Sequence, residues 1–258
     1  MMSIHSRARS ADFPNGFLIT VNRLYDEMYN NIRRNKVAIK SAIFDLDGTL
    51  LDTSEGIISS VTKLIEHFGY GSLTPEQYRS FIGPPINRHL KAMFGLSDEE
   101  SIEAMNYFRV EYAKGDIYRS KIYDGLVDLL KNLRKDGIKL GVSTYKREDM
   151  AKSLLEEKGL AELFDVIHGS DAAATLSKAD VVTMTINDLG NSAAETVMIG
   201  DSDNDAIGAE GAGAKFIGVT YGFGFEDKTA IEAFANIGIA DSCEEIFSII
   251  HDVNNSKY

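Results

Sequence analysis

Residues 41–53 read SAIFDLDGTLLDT, a short apolar run that ends in two aspartates, Asp45 and Asp47, and then a glycine. This pattern predicts a buried β-strand that carries functional groups at its carboxyl end. Side chains two residues apart lie on the same face of a strand, so both carboxylates can converge where open α/β sheets bind ligands. Two carboxylates that close repel each other unless a cation or a proton lies between them.

Such a pair suits metal-assisted phosphoryl transfer, in which one carboxylate attacks phosphorus, the other transfers a proton and Mg²⁺ neutralises charge on the phosphoryl oxygens. We predict that Asp45 is the nucleophile. Gly48 would allow a tight turn beside the phosphate, and Thr49 offers a hydroxyl and an amide to its oxygens. Taken alone, the same string also fits a strand followed by an ordinary Asx turn.

The apolar strand followed by D-x-D-G-T resembles the first motif of haloacid dehalogenase superfamily phosphatases, and the other motifs of that family follow in order over residues 41–240. The resemblance implies an α/β fold with a Rossmann-like parallel sheet and Mg²⁺ as the cofactor. It also implies an aspartyl-phosphate on Asp45. Asp47 would protonate the leaving alkoxide and later deprotonate the attacking water.

The second and third motifs of the family match two segments that would bind phosphate. Residues 138–144 form an alternating run that ends in two hydroxyls, Ser143 and Thr144, of which Thr144 aligns better with the strand end of the family. Lys178 stands at a predicted helix start. Its ammonium would bind the phosphoryl group and offset the repulsion between that group and Asp45.

The fourth motif, residues 196–205, reads TVMIGDSDND and predicts another buried strand that ends in carboxylates. The resemblance implies that Asp201 binds Mg²⁺ and that Asp205 acts through a water or by orienting Lys178. Asp203 has no place in the family pattern and is predicted to cap the following helix. The predicted metal ligands are Asp45, Asp47, Asp201 and Asp205.

Residues 54–123 show helical signals only, including a helix from Glu55 to Phe68 and two capping boxes that begin at Thr74 and Ser97. An all-helical insertion between the first two motifs resembles the C1 cap of the family. Such a cap would exclude water from the site and supply specificity contacts.

Within this insertion, residues 81–90 read FIGPPINRHL and resemble a loop of phosphoglycolate phosphatase-like and nucleotidase-like members. In one interpretation Gly83 passes close to the substrate and Arg88 binds a distal anion. In the other, the turn only joins two helices and Arg88 is solvated.

Strands near 138–143, 164–168, 196–200 and 215–219 alternate with helices, which predicts a parallel sheet. The predicted catalytic core comprises residues 39–53 and 124–258, and the predicted cap comprises residues 54–123. The glycines of Tyr221–Gly224 are expected near the mouth of the site. Tyr145 stands where relatives often have Asn or Ser, which predicts a different pocket from that of a strict phosphoglycolate phosphatase.

The composition limits the partners that we expect. The formal net charge of −12 argues against nonspecific binding to nucleic acid or anionic membranes, and the chain contains a single cysteine, Cys243, as expected in a reducing cytoplasm. The predicted partner is a small phosphorylated metabolite, and the predicted assembly is a monomer or a homodimer. Since the protein is acidic, basic residues near an anion site become informative.

Residues 1–38 precede the family core. Their first ten residues are basic and free of acids, which can mark a transit peptide, whereas apolar residues from Phe17 to Ile32 recur at helical spacing. The alternatives are an accessory helix, an over-long start with Met28 as the alternative initiator, or a targeting segment.

Two other functions remain open at this point. A phosphosugar mutase of the β-phosphoglucomutase type would pass the same phosphoryl group to a second hydroxyl instead of water. A non-catalytic protein could retain the fold for phosphate or partner recognition.

Overall fold

The computed structural model describes residues 37–255. The predictions for the segment before Val37, namely the accessory helix and the targeting segment, lie outside the described residues. Within residues 37–255, none of the helices has both the length and the apolar character that crossing a bilayer requires.

A six-stranded parallel sheet forms the centre of the fold. Its strand order is β5-β4-β1-β6-β7-β8, and a separate antiparallel pair joins β2 to β3. The parallel sheet confirms the predicted α/β, Rossmann-like architecture. In chain order the strands are β1 (Ser41–Phe44), β2 (Leu51–Asp52), β3 (Lys121–Ile122), β4 (Lys139–Arg147), β5 (Val166–Ser170), β6 (Thr196–Gly200), β7 (Lys215–Val219) and β8 (Gly238–Ala240).

The helices of the described residues connect these strands. Four lie between β2 and β3, one lies between β3 and β4, and the others follow strands of the large sheet. In chain order they are α1 (Ser54–Phe68), α2 (Pro75–Arg79), α3 (Ile86–Phe94), α4 (Asp98–Ala113), α5 (Leu126–Lys135), α6 (Glu148–Glu157), α7 (Lys178–Leu189), α8 (Asp203–Ala212), α9 (Lys228–Glu232) and α10 (Cys243–Asn255).

β1 is buried along its whole length because apolar side chains cover both faces of the sheet. Ile43 belongs to a cluster on one face with Val182 and Met198, whereas Phe44 belongs to the larger cluster on the other face. The Phe44 ring meets the ring of Phe164 edge to face, with centroids 6.3 Å apart. Burial on both faces explains why the residues that follow Ser41 in this strand are all apolar instead of alternating with polar ones.

The observed strands agree with the predicted ones at β6 and β7 and differ elsewhere. β4 continues past the predicted end through the polar residues Lys146 and Arg147, and β5 begins two residues later than predicted. β8 was not predicted, because three residues give too short a pattern to recognise.

The insertion between β2 and β3 is helical, apart from Lys121 and Ile122, which pair with β2. Both predicted capping boxes form: Thr74 with Gln77, and Ser97 with Glu100. The buried side chains of the insertion belong to the same apolar cluster as one face of the sheet. The exact division into a core and a cap stays a prediction.

A buried carboxylate fastens the end of the insertion to its first helix. Asp116 accepts hydrogen bonds from Ser60 Oγ and Lys63 Nζ, both at 2.8 Å, and from Arg119 Nη1 at 3.3 Å. Gly56 allows the approach of this turn, because a Cβ atom at Gly56 would lie 2.0 Å from the carbonyl oxygen of Asp116. Burial tends to raise the pKa of Asp116, but the hydrogen bonds outweigh it and lower the pKa to about 2.

We expect Asp116→Asn to lower the free energy of unfolding at pH 7 by about 1 to 2 kcal/mol, because the charged hydrogen bonds to Lys63 and Arg119 are lost. The effect is limited because both cations are partly exposed and can be hydrated instead. A carboxyl with a lowered pKa stabilises the fold above its unfolded pKa, and this stabilisation is lost as the pH falls toward 2. The difference from the wild type, measured by urea unfolding, should therefore shrink between pH 7 and pH 3.

The matched control is Asp98→Asn, which removes an exposed carboxylate paired with Lys91. It should change the stability by less than about 0.5 kcal/mol. Equal effects of the two substitutions would show that Asp116 does not fasten the insertion.

Candidate active site

The register of the sheet brings two of the sequence motifs together. Phe44 of β1 pairs with Ile199 of β6, and the amide of Asp45 donates to the carbonyl oxygen of Ile199 at 2.9 Å. Asp45 and Asp201 therefore directly follow the ends of two neighbouring strands, at the same edge of the sheet. This is the edge at which the sequence predicts the chemistry.

Three carboxylates meet at this edge. Asp45, Asp201 and Asp205 each offer an oxygen within 4.8 Å of the others, and all three residues are buried. Oxygen ligands from carboxylates are those that Mg²⁺ prefers. The cluster therefore fits the predicted cofactor, with Asp45, Asp201 and Asp205 as the side chains that would hold it.

Lys178 reaches the same cluster from the first turn of α7. Its Nζ lies 2.5 Å from Asp45 Oδ1 and 2.7 Å from Asp205 Oδ1. Ser177 forms the N-cap of the helix, as the predicted helix start requires. Gly208 of α8 allows this approach, because a Cβ atom there would lie 2.5 Å from Lys178 Cγ.

The electrostatics show that this cluster is short of positive charge. Burial raises the pKa of Asp45 well above its usual range, and burial together with Asp205 raises the pKa of Asp201 to about 7. Burial disfavours the charged ammonium of Lys178, but Asp205 and Asp45 outweigh it and raise its pKa. One lysine thus leaves the negative charge of three carboxylates only partly compensated, which a divalent cation would correct.

The predicted glycine segment orients Asp201. Asp201 Oδ2 accepts hydrogen bonds from the amides of Phe223 at 2.7 Å and Gly224 at 3.1 Å. A Cβ atom at Gly222 would lie 2.3 Å from Asp201 Cβ, so only glycine fits there. The segment therefore lies beside the site, as expected from the sequence.

Gly48 and Thr49 lie on the other side of Asp201. Gly48 has a φ of +88°, and a Cβ atom there would lie 2.2 Å from Asp201 Oδ2. The hydroxyl of Thr49 lies 3.4 Å from Asp201 Oδ1 and is fully buried. The turn after β1 thus requires glycine for both its conformation and its contact.

Asp205 belongs to the capping box of α8. Its Oδ2 accepts hydrogen bonds from the amide and the hydroxyl of Ser202, at 3.1 and 2.7 Å, while Oδ1 faces Lys178. Asp205 therefore orients Lys178, one of its two predicted roles. The prediction that Asp203 caps the helix is wrong, because Ser202 is the N-cap and Asp203 is an exposed residue of the first turn.

The carboxylate of Asp47 does not belong to the acidic cluster. Asp47 Oδ1 accepts a hydrogen bond from Thr53 Oγ1 at 2.7 Å and lies 3.0 Å from Lys146 Nζ. Of the four predicted metal ligands, this is the one whose side chain the structure does not bring to the other three.

The two hydroxyls of the second motif face different directions. Ser143 Oγ lies 2.7 Å from Thr185 Oγ1, within the packing of β4 against α7, so the predicted role of Ser143 in substrate binding does not fit the structure. Thr144 is buried, and its hydroxyl accepts a hydrogen bond from the amide of Lys146 at 3.2 Å. Successive strand residues point to opposite faces, which explains why only one hydroxyl can serve the site.

The comparisons with known proteins agree with this geometry. A family model described as haloacid dehalogenase-like hydrolase matches residues 42–219. The chain belongs to this family. It is therefore a hydrolase, and its parallel sheet flanked by helices is that of a haloacid dehalogenase-like hydrolase.

Curated relatives and solved structures extend the comparison. The tyrosine-protein kinase PtkA of Mycobacterium tuberculosis is 33% identical over 80% of this chain and 72% of its own length. A phosphoglycolate phosphatase of Agrobacterium fabrum is 34% identical over 78% of this chain and 88% of its own length. The crystal structure of a predicted phosphatase from Clostridium acetobutylicum is 33% identical and covers 83% of this chain and 99% of its own, with a TM-score of 0.78.

A cavity of this haloacid dehalogenase-like hydrolase opens beside Asp47. Its lining combines Tyr145 and Lys146 of β4 with side chains of the insertion. Gly83 is one of its lining residues, whereas Arg88 is exposed and does not line it. For Arg88 the structure therefore agrees with the interpretation in which this residue is solvated.

Tyr145 is tied to the third motif. Its hydroxyl accepts a hydrogen bond from the amide of Lys178 at 3.0 Å, and Lys178 Nζ lies 5.5 Å from the centre of its ring. The phenol predicted to reshape the pocket thus lies in the cavity wall and also fixes the start of α7.

Lys146 and Tyr112 are the residues beside the site that sequence reasoning missed. The side chain of Lys146 is only 7% exposed. Its Nζ lies 3.0 Å from Asp47 Oδ1 and 3.3 Å from the hydroxyl oxygen of Tyr112. The position of Lys146, two residues after Thr144, could have indicated it. Tyr112 is one of the buried residues of α4, where no local signal separates a site residue from a core residue.

Proposed function

We propose that this chain is a Mg²⁺-dependent phosphatase that hydrolyses a small phosphate monoester through an aspartyl-phosphate on Asp45. The observation that carries the proposal is the buried cluster of Asp45, Asp201 and Asp205, to which Lys178 supplies the nearest positive charge. The name of the Agrobacterium relative supports a substrate of the phosphoglycolate type. Nucleotides and sugar phosphates are the other substrate classes to be tested.

In the proposed first step, a carboxylate oxygen of Asp45 attacks phosphorus and the bond from phosphorus to the ester oxygen breaks. Asp47 gives its proton to the departing alkoxide and becomes a carboxylate. The Mg²⁺ ion would supply positive charge to the phosphoryl oxygens. Lys178, Thr144 and Thr49 would hold those oxygens in place.

In the second step, Asp47 takes a proton from water, and the oxygen of that water attacks the phosphorus of the aspartyl-phosphate. The bond between phosphorus and the Asp45 oxygen breaks, so inorganic phosphate leaves and both carboxylates return to their starting states. Because Asp47 lines the cavity, it can act on a leaving group bound there.

We propose that residues 54–123 act as the cap of this site. Phe81, Gly83, Phe108 and Tyr112 of the insertion line the same cavity as Asp47. A cap in this position would keep bulk water away from the aspartyl-phosphate and contact the leaving group.

The test measures phosphate release from phosphoglycolate, nucleoside monophosphates, sugar phosphates and p-nitrophenyl phosphate, in Mg²⁺ or in EDTA. We expect turnover in Mg²⁺ only. Asp201→Asn should raise the Mg²⁺ concentration needed for half-maximal activity more than about tenfold, because one of three buried ligands is lost.

Asp203→Asn is the matched control, since it removes an exposed carboxylate two residues away and should behave as the wild type. Turnover that is unaffected by EDTA would contradict the metal dependence. Transfer of phosphate to a sugar or to a protein tyrosine, without release of inorganic phosphate, would contradict hydrolysis and indicate a mutase or a kinase.

A further inference from the structure

The cavity beside Asp47 is positively charged in a protein whose formal net charge is −12. Lys146, Arg147 and Arg109 line it, and Asp47 is the single acidic residue among its lining residues. An acidic protein that binds an anionic substrate needs such a local excess of positive charge. The three cations differ, however, in what already neutralises them.

Two of these cations are paired with carboxylates. Lys146 Nζ lies 3.0 Å from Asp47 Oδ1. Arg147 makes a bidentate pair with Asp149, in which Nε and Nη2 lie 2.5 and 2.6 Å from the carboxylate oxygens. Their charges are therefore largely balanced within the protein.

Arg109 is different. Its Nη1 donates a hydrogen bond to the carbonyl oxygen of Ala172 at 2.6 Å, and no carboxylate of residues 37–255 lies within ion-pair distance of its guanidinium. Arg109 is partly buried, and burial together with the nearby charge of Arg147 lowers its pKa, although the carboxylates of Asp149 and Asp171 act in the opposite direction. A guanidinium has five N–H donors in a planar fork, so a single hydrogen bond to Ala172 leaves most of the donors of Arg109 available to a ligand.

We propose that Arg109 binds a second oxyanion, located on the leaving group of the phosphate ester, and that Arg147 adds its charge to the same subsite. This inference rests on the proposed phosphatase function and narrows its substrate class to esters that carry another carboxylate or phosphate. An oxyanion would supply the negative charge that Arg109 lacks, and the fork of its guanidinium matches the geometry of an oxyanion.

The position of Arg109 explains why sequence motifs did not single it out, whereas they did single out Arg88. Arg88 follows a recognisable loop but is exposed, whereas Arg109 lies in the middle of α4 and faces the β5 to α7 connection across the cavity. The bond to Ala172 also ties the insertion to the core. A purely structural role for Arg109 is therefore the competing explanation that the test must exclude.

The test compares pairs of esters that differ in one anionic group. Phosphoglycolate is paired with ethyl phosphate to probe a carboxylate, and fructose 1,6-bisphosphate is paired with fructose 6-phosphate to probe a second phosphate. The measured quantity is the ratio of kcat/KM within each pair, in Mg²⁺. We expect the wild type to favour the ester with the additional anion in at least one pair.

Arg109→Met should reduce that ratio at least about tenfold, because a charge-assisted hydrogen bond to the additional anion is lost. Arg79→Met, which removes an exposed cation outside the cavity, should leave the ratio at the wild-type value. If Arg109→Met does not fold, Arg147→Met serves the same comparison, and we expect a smaller reduction of the same ratio.

The outcomes separate the two proposals. Hydrolysis of the simple esters without any preference for an additional anion would overturn the oxyanion subsite and leave the phosphatase function standing. A preference that neither Arg109→Met nor Arg147→Met reduces would also overturn it, and would leave Arg109 as a structural tie. No hydrolysis of any ester by folded wild type would overturn the phosphatase function and this inference with it.

Discussion

Asp45→Asn is expected to lower kcat for p-nitrophenyl phosphate by roughly 10³-fold or more, because an amide cannot serve as the nucleophile that forms the aspartyl-phosphate. The substitution preserves shape and removes one of three mutually repelling carboxylates. Lys178 keeps Asp205 as a partner at 2.7 Å. We therefore expect the variant to fold, with a thermal midpoint in EDTA close to that of the wild type.

The measurement is steady-state phosphate release. Asp203→Asn is the matched control, because it also removes one negative charge but from an exposed position. Trapping gives an independent check, since acid-quenched wild type should retain phosphate on Asp45 and the variant should not. Retention of more than a tenth of the wild-type kcat by a folded Asp45→Asn protein would show that another group attacks phosphorus.

Lys178→Met is expected to affect both activity and stability. The ammonium is buried between Asp45 and Asp205, so its loss removes the charge that we propose binds phosphate and leaves buried carboxylates without their nearest cation. Breaking a buried pair in this way costs about 3 kcal/mol or more. We expect kcat/KM to fall roughly 10²-fold or more, and the free energy of unfolding in EDTA at pH 8 to fall by about 3 kcal/mol.

The loss of stability should be smaller at pH 5 than at pH 8. Carboxyl groups whose pKa is raised in the folded state, such as Asp45 and Asp201, take up protons as the pH falls and then need no cation. Mg²⁺ should also restore part of the stability of the variant at pH 8, since it would replace the missing charge.

Lys228→Met is the control for a lysine that pairs at the surface, with Asp241 at 2.5 Å. It should cost less than about 1 kcal/mol and leave catalysis unchanged, because an exposed ion pair is largely compensated by water. If Lys178→Met were no more destabilising than Lys228→Met at pH 8, the buried carboxylates would have to be neutral without the lysine.

The parallel sheet and the residues of the acidic cluster could be predicted from short motifs. Asp45, Asp201 and Lys178 each follow a strand or begin a helix, and such local patterns are readable because strands and helix caps have residue preferences of their own. Ser143 and Asp203 show the limit of this reasoning. Ser143 contacts Thr185 instead of the site, and Ser202 takes the N-cap position predicted for Asp203, although neighbouring residues of the sequence look alike.

The cavity wall could not be predicted in the same way. Lys146 extends β4 beyond its apolar part, and Arg109 and Tyr112 lie in a helix whose sequence is only weakly amphipathic. Their contact with the site depends on how the insertion packs against the sheet. No local pattern of residues encodes that packing.

By itself, the sequence determined the α/β fold, the order of the motifs and the carboxylates that share one edge of the sheet, since a strand and its following turn are specified by neighbouring residues. The tertiary structure alone decided that Asp47 faces Lys146 instead of the acidic cluster, and that Arg109 instead of Arg88 reaches the cavity. The reason is physical: which charges meet depends on contacts between segments far apart in the chain, and their energies arise only when burial removes the intervening water.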